Sequence, residues 1–303
     1  MSQQHPLARL GWRAELHSHL DPGWVGLIPA RVTAVDRGSV LVDAGHGPWR
    51  APLAGRLRRA AAMPATGDFV AVLPDGPVRA VLPRRGVIAR RLEKRRPQVL
   101  AANVDLALLG TSPNRDLNPR RLARFLAVTA RGDVRAVVLL TKADLVGDPG
   151  GVAAELQAGL DGTPVLPVSA LDGRGLDALR ALLEPRRTAV LLGTSGVGKS
   201  TLLNVLLGEE RQATHAIRAS DDRGRHTTAR RELVPLPGGA LLVDTPGLRL
   251  VAPLEDDDEE VPMLDKQQLR RERRAREREF HRGVYREMRA RKRAREARDD
   301  RRG

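Results

Sequence analysis

From Leu27 to Arg91, apolar residues come in short β-branched runs separated by turn residues. Residues 30–35 and 40–44 flank the turn Asp36-Arg37-Gly38-Ser39, and residues 69–73 and 78–82 flank Pro74-Asp75-Gly76-Pro77. Such runs suit a pleated, half-buried surface, so each pair predicts a hairpin. Small all-β units with this spacing close into five-stranded barrels of the OB type. From Val104 the pattern changes to buried apolar strands alternating with helices. Strands are predicted at 104–109, 137–140, 165–168, 189–192 and 241–243. Helices are predicted from Pro119 through Leu126, over 152–160, over 176–183, and from near Lys199. Proline suits the first helical position at 119. The expected fold is an all-β barrel followed by an α/β domain with a mostly parallel sheet. Residues 1–24 are polar around Trp12 and Trp24 and are expected to be loosely ordered. His17 and His19 have no carboxylate support there and read as surface residues.

Composition sharpens this picture in two places. The 303 residues carry a net charge of +15, and the pI is about 11.3. Residues 265–303 hold 17 Lys/Arg against 8 Asp/Glu, a net +9. A polyanion is the natural partner, with nucleic acid ahead of an acidic membrane. The absence of cysteine excludes disulfides, thiolate nucleophiles and Cys-ligated zinc. Residues 1–21 lack the apolar core of a signal peptide, and no apolar stretch reaches the roughly 18 residues of a membrane helix. The expectation is a soluble, cytoplasmic protein.

The chemistry lies in the α/β part. The strand at 189–192 runs into Gly193-Thr194-Ser195-Gly196-Val197-Gly198-Lys199-Ser200, with Thr201 next. This is G-x-x-x-x-G-K-S between a strand and a helix, a loop whose backbone N–H groups surround phosphates. Lys199 is expected to reach the β- and γ-phosphates and Ser200 to hold Mg2+. Asp244-Thr245-Pro246-Gly247 comes after a buried strand, placing Asp244 near the Mg2+ and the Gly247 amide at the γ-phosphate. Thr141-Lys142-Ala143-Asp144 matches N-K-x-D with Thr in place of Asn. The Asp144 carboxylate accepts from the guanine N1 and N2 donors, which adenine lacks, and the Lys142 stem covers the base. Ser169 and Ala170 resemble a second base-contacting loop, whose backbone is expected near the guanine O6. Gly224-Arg225-His226-Thr227-Thr228 occupies the switch position, where Thr227 or Thr228 completes the Mg2+ shell. His226 either orients the attacking water or is a solvated loop histidine. Leu248, where many GTPases place a water-orienting Gln, implies slow hydrolysis in isolation.

The base reader precedes the phosphate loop, the reverse of the usual GTPase order. With the barrel first, this order and the G-x-H-T-T switch, the chain resembles the circularly permuted GTPases of the ribosome small-subunit-dependent GTPase A (RsgA) type over about residues 25–250. Ala101-Ala102-Asn103-Val104-Asp105 is similar to that family's domain junction. The resemblance implies GTP hydrolysis with Mg2+, stimulated by the 30S subunit, a part in late 30S maturation, and a hydrolytic role for His226. Family members commonly add a zinc domain with three Cys and one His, a site this chain cannot form.

The expected organisation is a flexible segment (1–24), an OB-like RNA-binding domain (25–98), a permuted GTPase domain (99–252), an acidic linker (253–264) and an Arg-rich helical tail (265–303). Candidate RNA contacts are Arg84, Arg85, Arg90 and Arg91 on the barrel and Arg289, Arg291, Lys292 and Arg293 in the tail. Both sets also read as solvated charge. The barrel's aromatic residues, Trp49 and Phe69, are either base platforms or core. The leading expectation is a monomeric, ribosome-associated GTPase that binds GTP/GDP and small-subunit rRNA, with no membrane partner. The alternatives are a nucleotide-regulated RNA-binding assembly factor with negligible turnover and a GTPase with a non-ribosomal protein partner.

Overall fold

A computed structural model describes residues 5–21, 24–36, 38–55, 57, 63–92, 95–113, 117–208 and 231–244. Among these, β1 (Ile28–Val35), β2 (Ser39–Asp43), β3 (Pro48–Pro52), β4 (Phe69–Val72) and β5 (Val78–Val81) form the barrel. They pair antiparallel in the order β3-β2-β1-β4-β5. A parallel bridge from Leu53 to Val78 closes the ring, with the Ala54 N–H donating to the Val78 carbonyl at 3.1 Å. Alternating residues Ala30, Val32, Val40, Val42, Val70 and Val72 fill its interior.

The second part comprises β8 (Leu106–Thr111), α1 (Pro119–Arg131), β9 (Arg135–Leu140), α2 (Pro149–Gly159), β10 (Val165–Pro167), α3 (Leu176–Leu182), β11 (Thr188–Leu192), α4 (Lys199–Leu207), β12 (Glu232–Pro235) and β13 (Leu241–Asp244). Strands β10-β9-β8-β11-β13 run parallel in that spatial order. Every residue of β8 and β11 is buried, as helices on both faces of a parallel sheet require. Helix α1 starts where the Asn118 side chain accepts from the Arg121 N–H, and it buries Leu122 and Phe125. Strand β12 is antiparallel to β13 and also pairs with β1, Glu232 opposite Ala34, so one sheet continues from the α/β part into the barrel. Among the described residues no helix is long and apolar enough to cross a membrane.

Three features differ from the sequence reading. The first is the N-terminal segment, which packs instead of lying loose. Leu7, Leu10, Trp12 and Leu16 are buried in the main core. Two 3-10 turns, Pro6–Leu10 and Ala14–His19, carry them. Leu7, Leu10 and Leu16 follow the three-residue period of that helix, which neither a 3.6 nor a 2.0 pattern reveals. The Trp12 ring stacks on His5 (centroids 4.8 Å apart) and meets the edges of His17 and Phe69.

The second is the ribbon of β6 (Val87–Leu92) and β7 (Arg95–Ala102), hidden in sequence by its run of arginines. The division expected at 98/99 falls inside β7. The ribbon leans on the α/β part, where the Val87 N–H donates to the Gly132 carbonyl at 2.8 Å. The third is β3 and β12, each with proline at an end, which reads as a turn but is tolerated at strand limits.

Arg31 joins these parts. It lies on β1, fully buried. Its Nε donates to the Gly67 carbonyl (2.7 Å), Nη1 to the Leu10 carbonyl (2.6 Å) and Nη2 to the Thr188 hydroxyl (3.0 Å). The guanidinium also covers the Phe69 ring at 4.3 Å. Burial lowers its pKa to about 9, while Asp105 and Asp68 oppose the fall, so it stays charged at neutral pH. Asp105 ties the same seam from the other side, accepting from the Thr188 N–H at 2.8 Å and pairing with Arg13 and Arg187.

Replacing Arg31 with Met strands two buried carbonyls and a hydroxyl. A loss of about 3 kcal/mol is expected in urea unfolding, with Thr188→Val costing about 1 kcal/mol. The His5 pKa is lowered by burial first and by His17 second. The unfolded chain therefore binds the proton more readily, and stability falls as pH drops below about 6.5 toward the depressed folded value. Melting followed by tryptophan fluorescence between pH 7.5 and about 5 should show this loss, and His5→Phe should flatten the part due to His5.

Candidate functional site

The parallel strands align their C-terminal ends, so the loops that leave those ends meet along one edge. Thr141 comes directly after β9, Ser169 lies two residues beyond β10, the phosphate loop leaves β11, and β13 ends at Asp244. The reversed motif order is thereby undone in space.

The loop from Gly193 to Ser200 depends on its glycines. Gly193 (φ +156°) has no room for a side chain, since a Cβ would lie 2.9 Å from the Gly110 carbonyl oxygen. Gly198 (φ +100°) is in a conformation that L side chains rarely adopt, and α4 begins at the next residue. Val197 is buried beneath the loop, whereas Ser195, Gly196 and Thr201 are exposed. Lys199 is nearly buried, its ammonium donating to the carbonyls of Gly193 (2.9 Å) and Thr194 (2.6 Å). This holds the charge over the loop. The covered Thr194 hydroxyl has no hydrogen-bond partner among the described residues.

The base-reading loop is built onto the phosphate loop. Thr141 is buried, with its hydroxyl 2.6 Å from the Val197 carbonyl and 2.8 Å from that of Thr111. A hydroxyl has one proton to donate and two acceptors hold this one, so the side chain faces the phosphate loop. Lys142 has φ +53°, and its ammonium donates to the Gly196 carbonyl at 2.7 Å, laying the stem along the loop. Asp144 is half-buried, and one carboxylate oxygen accepts from the Ser169 hydroxyl at 2.6 Å. Ser169 is fully buried and also accepts from the Leu171 and Asp172 N–H groups. The Ser169 hydroxyl thus orients Asp144, while Ala170 is partly open.

Ser200 at the start of α4 and the buried Asp244 carboxylate supply hard oxygen donors, a set that fits Mg2+. His226, Thr227, Thr228, Gly247, Leu248, the acidic run and the tail arginines lie outside the described residues.

On the barrel, Arg84 is corrected as an RNA contact. Its guanidinium grips the fully buried Asp68 with two bonds (2.8 and 2.7 Å) and donates to the Met63 carbonyl. Burial pushes the Asp68 pKa up and Arg84 draws it back, which marks a structural pair. Arg85 is exposed, and Arg90 donates to Gln98 at 2.8 Å. Of Arg91 the backbone alone is described. Phe69 is core, enclosed by Trp12 and Arg31, so it offers no stacking platform. Trp49 is half-buried against the barrel core.

A cavity of about 160 Å3 lies away from the phosphate loop, between the N-terminal segment, the barrel and Asp105. Arg13, Arg31 and Arg84 line it but are already engaged, so it is part of the seam. Sequence reasoning missed the Ser169–Asp144 bond, because S-A is nearly uninformative alone. It also missed Arg31, whose full burial nothing in the sequence of β1 announces.

A family model described as RsgA GTPase matches residues 81–252. A protein named small ribosomal subunit biogenesis GTPase RsgA from Syntrophotalea carbinolica is 42% identical over 263 residues, covering 80% of this chain and 71% of its own length. Its namesake in Streptomyces coelicolor is 47% identical over 237 residues, covering 74% of this chain and 63% of the relative, just under two thirds of that longer protein. Among solved structures, YjeQ from Thermotoga maritima aligns with a TM-score of 0.54 at 24% identity, over 73% of this chain and 75% of its own. YloQ, described as a circularly permuted GTPase, aligns with a TM-score of 0.52 at 21% identity, over 80% and 77%. At those identities the two structures speak to the fold.

Ser169→Ala removes the donor that orients Asp144. Affinity for GDP and GTP should fall about tenfold while ATP stays excluded, as measured by titration with fluorescent nucleotides. Thr141→Val should weaken both guanine nucleotides together, because it unties the two loops.

Proposed function

We propose that this chain, which belongs to the RsgA GTPase family, is a GTPase that acts in biogenesis of the small ribosomal subunit. The observation that carries the reading is the tie between base reader and phosphate loop, made by Thr141 and Lys142. It makes one guanine-nucleotide site from motifs that lie about fifty residues apart in the chain. The named relatives supply the subunit as partner.

Asp144, oriented by Ser169, accepts from the guanine N1 and N2 donors and excludes adenine. The Lys142 stem lies against the base. The N–H groups of Gly196, Val197, Gly198 and Lys199 donate to the phosphate oxygens, and the Lys199 ammonium exchanges its two carbonyl acceptors for the β- and γ-phosphates. Ser200 and Asp244, with Thr227 or Thr228, would hold Mg2+, which would supply positive charge to offset that of the phosphates. The Gly247 amide donates to the γ-phosphate. His226 orients the attacking water, a role that Leu248 cannot take. The subunit accelerates hydrolysis, and release comes about because GTP and GDP forms bind it with different affinity. Arg85 and the tail arginines at 289, 291 and 293, with Lys292, contact rRNA phosphates. The protein works as a monomer in the cytoplasm.

GTP hydrolysis should rise strongly on adding purified 30S subunits and vanish in Lys199→Ala. His226→Ala should lower the stimulated rate about a hundredfold with nucleotide affinity kept. Turnover indifferent to 30S would transfer the GTPase to a non-ribosomal partner. Binding to 30S with no turnover would make the chain a nucleotide-regulated assembly factor.

A further inference from the structure

Helix α1 buries Leu122, Phe125 and Thr129 on one side. On the opposite side, at about 100° per residue, Arg120, Arg124 and Arg131 fall within about 40° of one another. All three are exposed. At about 1.5 Å per residue they form a line about 16 Å long. Ala127 lies on that line, and the exposed Ala123 and Ala130 lie beside it.

The fold does not compensate these charges. Among the described residues no side-chain hydrogen bond or ion pair involves Arg120, Arg124 or Arg131. The 13 residues of α1 include no acid. Arg120 stands in the first turn, at the positive end of the helix dipole, where an acid is favoured. Arg120 and Arg124 are like charges four residues apart, which also opposes the helix. Elsewhere the chain pairs its exposed arginines locally. Arg180 on α3 meets Asp177 at 3.3 Å, Arg187 meets Glu184 at 3.4 Å and Arg174 meets Asp172 at 3.4 Å.

The chemistry of the line selects its partner. A protein interface centres on an aromatic or large apolar anchor, and this line offers only alanine between its arginines. Single-stranded RNA stacks its bases on aromatic rings, and Phe125, the aromatic residue of α1, is buried. A duplex backbone needs neither. It presents phosphates along a stiff line, guanidinium groups match them, and small side chains between the arginines allow close approach. RNA duplexes are bound mainly through shape and backbone contacts. The chain's charge of +15 adds long-range attraction for a polyanion.

We propose that the face of α1 bearing Arg120, Arg124 and Arg131 is a docking surface for the phosphate backbone of duplex RNA. That this duplex belongs to small-subunit rRNA rests on the function proposed above. The helix follows β8, whose last residue, Thr111, accepts from the N–H and hydroxyl of Thr141, each at 2.8 Å. It ends at Gly132, whose carbonyl accepts from Val87 of the ribbon. RNA laid along α1 therefore runs from the nucleotide edge to the ribbon.

The test uses the full chain, titrated with a short RNA duplex over a range of salt. The variants are Arg120→Gln, Arg124→Gln, Arg131→Gln and the triple. Arg180→Gln is the control, removing an equal charge from an exposed, paired position. Each single α1 variant should lower affinity several-fold and reduce the slope of log K against log salt by about 0.9, the loss of one phosphate contact. The triple should lose roughly a hundredfold, with the three slope changes adding. Arg180→Gln should change neither. The α1 variants should melt no lower than the wild type, because like charges are removed, and should keep nucleotide affinity and basal GTP hydrolysis. An unchanged slope in the triple would overturn the surface, and so would an equal loss in Arg180→Gln, which would reduce the effect to net charge. Unaltered RNA binding in the triple, with loss of binding to phosphatidylglycerol vesicles, would assign the face to a membrane and overturn RNA as its partner. A wild type indifferent to 30S, yet binding duplex RNA with the expected slopes, would keep the surface and remove the ribosomal partner.

Discussion

The buried guanidinium of Arg31 is the constraint on which the arrangement of the two parts depends. A charge out of water is tolerable only if donors and acceptors around it are matched and fixed. Arg31 takes its acceptors from separate pieces of chain: Leu10 of the N-terminal segment, Gly67 of the barrel and Thr188 at the foot of β11. Moving any one of these pieces leaves an unmet donor in a low-dielectric place. The N-terminal segment, the barrel and the strand that feeds the phosphate loop are therefore held as one unit. Asp105 reinforces the unit without itself being deeply buried, since it reaches Thr188 by the backbone and Arg13 by charge.

From that fixed foot, β11 delivers the phosphate loop to the opposite edge of the sheet. The precision needed there comes from contacts between loops. Gly110 and Gly193 approach too closely for a side chain on Gly193, which seats the loop over β8. Thr141 then binds the base reader to Val197, and Ser169 sets the carboxylate of Asp144. Each of these residues acts on another protein group, so a nucleotide meets a site whose parts are already positioned relative to one another.

Much of this was legible in the sequence. The α/β strands and the glycine-rich loop could be read because a parallel sheet demands continuous apolar runs and a phosphate cradle demands glycine. The barrel hairpins could be read from their turns. The features that escaped share a physical reason: they depend on partners far away in the chain. The N-terminal turns bury leucines on a three-residue period that resembles no common element. Strands β6 and β7 are rich in arginine, which breaks the apolar alternation by which a strand is read. The fully buried Arg31 and the paired Arg84 look, in sequence, like the exposed arginines that surround them. In a chain with 52 Lys and Arg residues, composition cannot say which cations face water.

The reversed motif order has a structural consequence beyond chain connectivity. Because β10 carries the base-side loop at one edge of the sheet and β12 lies toward the other, the barrel attaches on the phosphate side. The pairing of Glu232 with Ala34 makes that attachment a continuation of the sheet, with hydrogen bonds in place of a flexible linker. The segment that carries the switch motif leaves α4 and returns as β12, so its return point is fixed to the barrel before it reaches Asp244. A ligand that pulls on the barrel edge acts on a strand that also borders β13. A barrel joined at the β10 edge would instead lie beside the base, where GTP and GDP are alike.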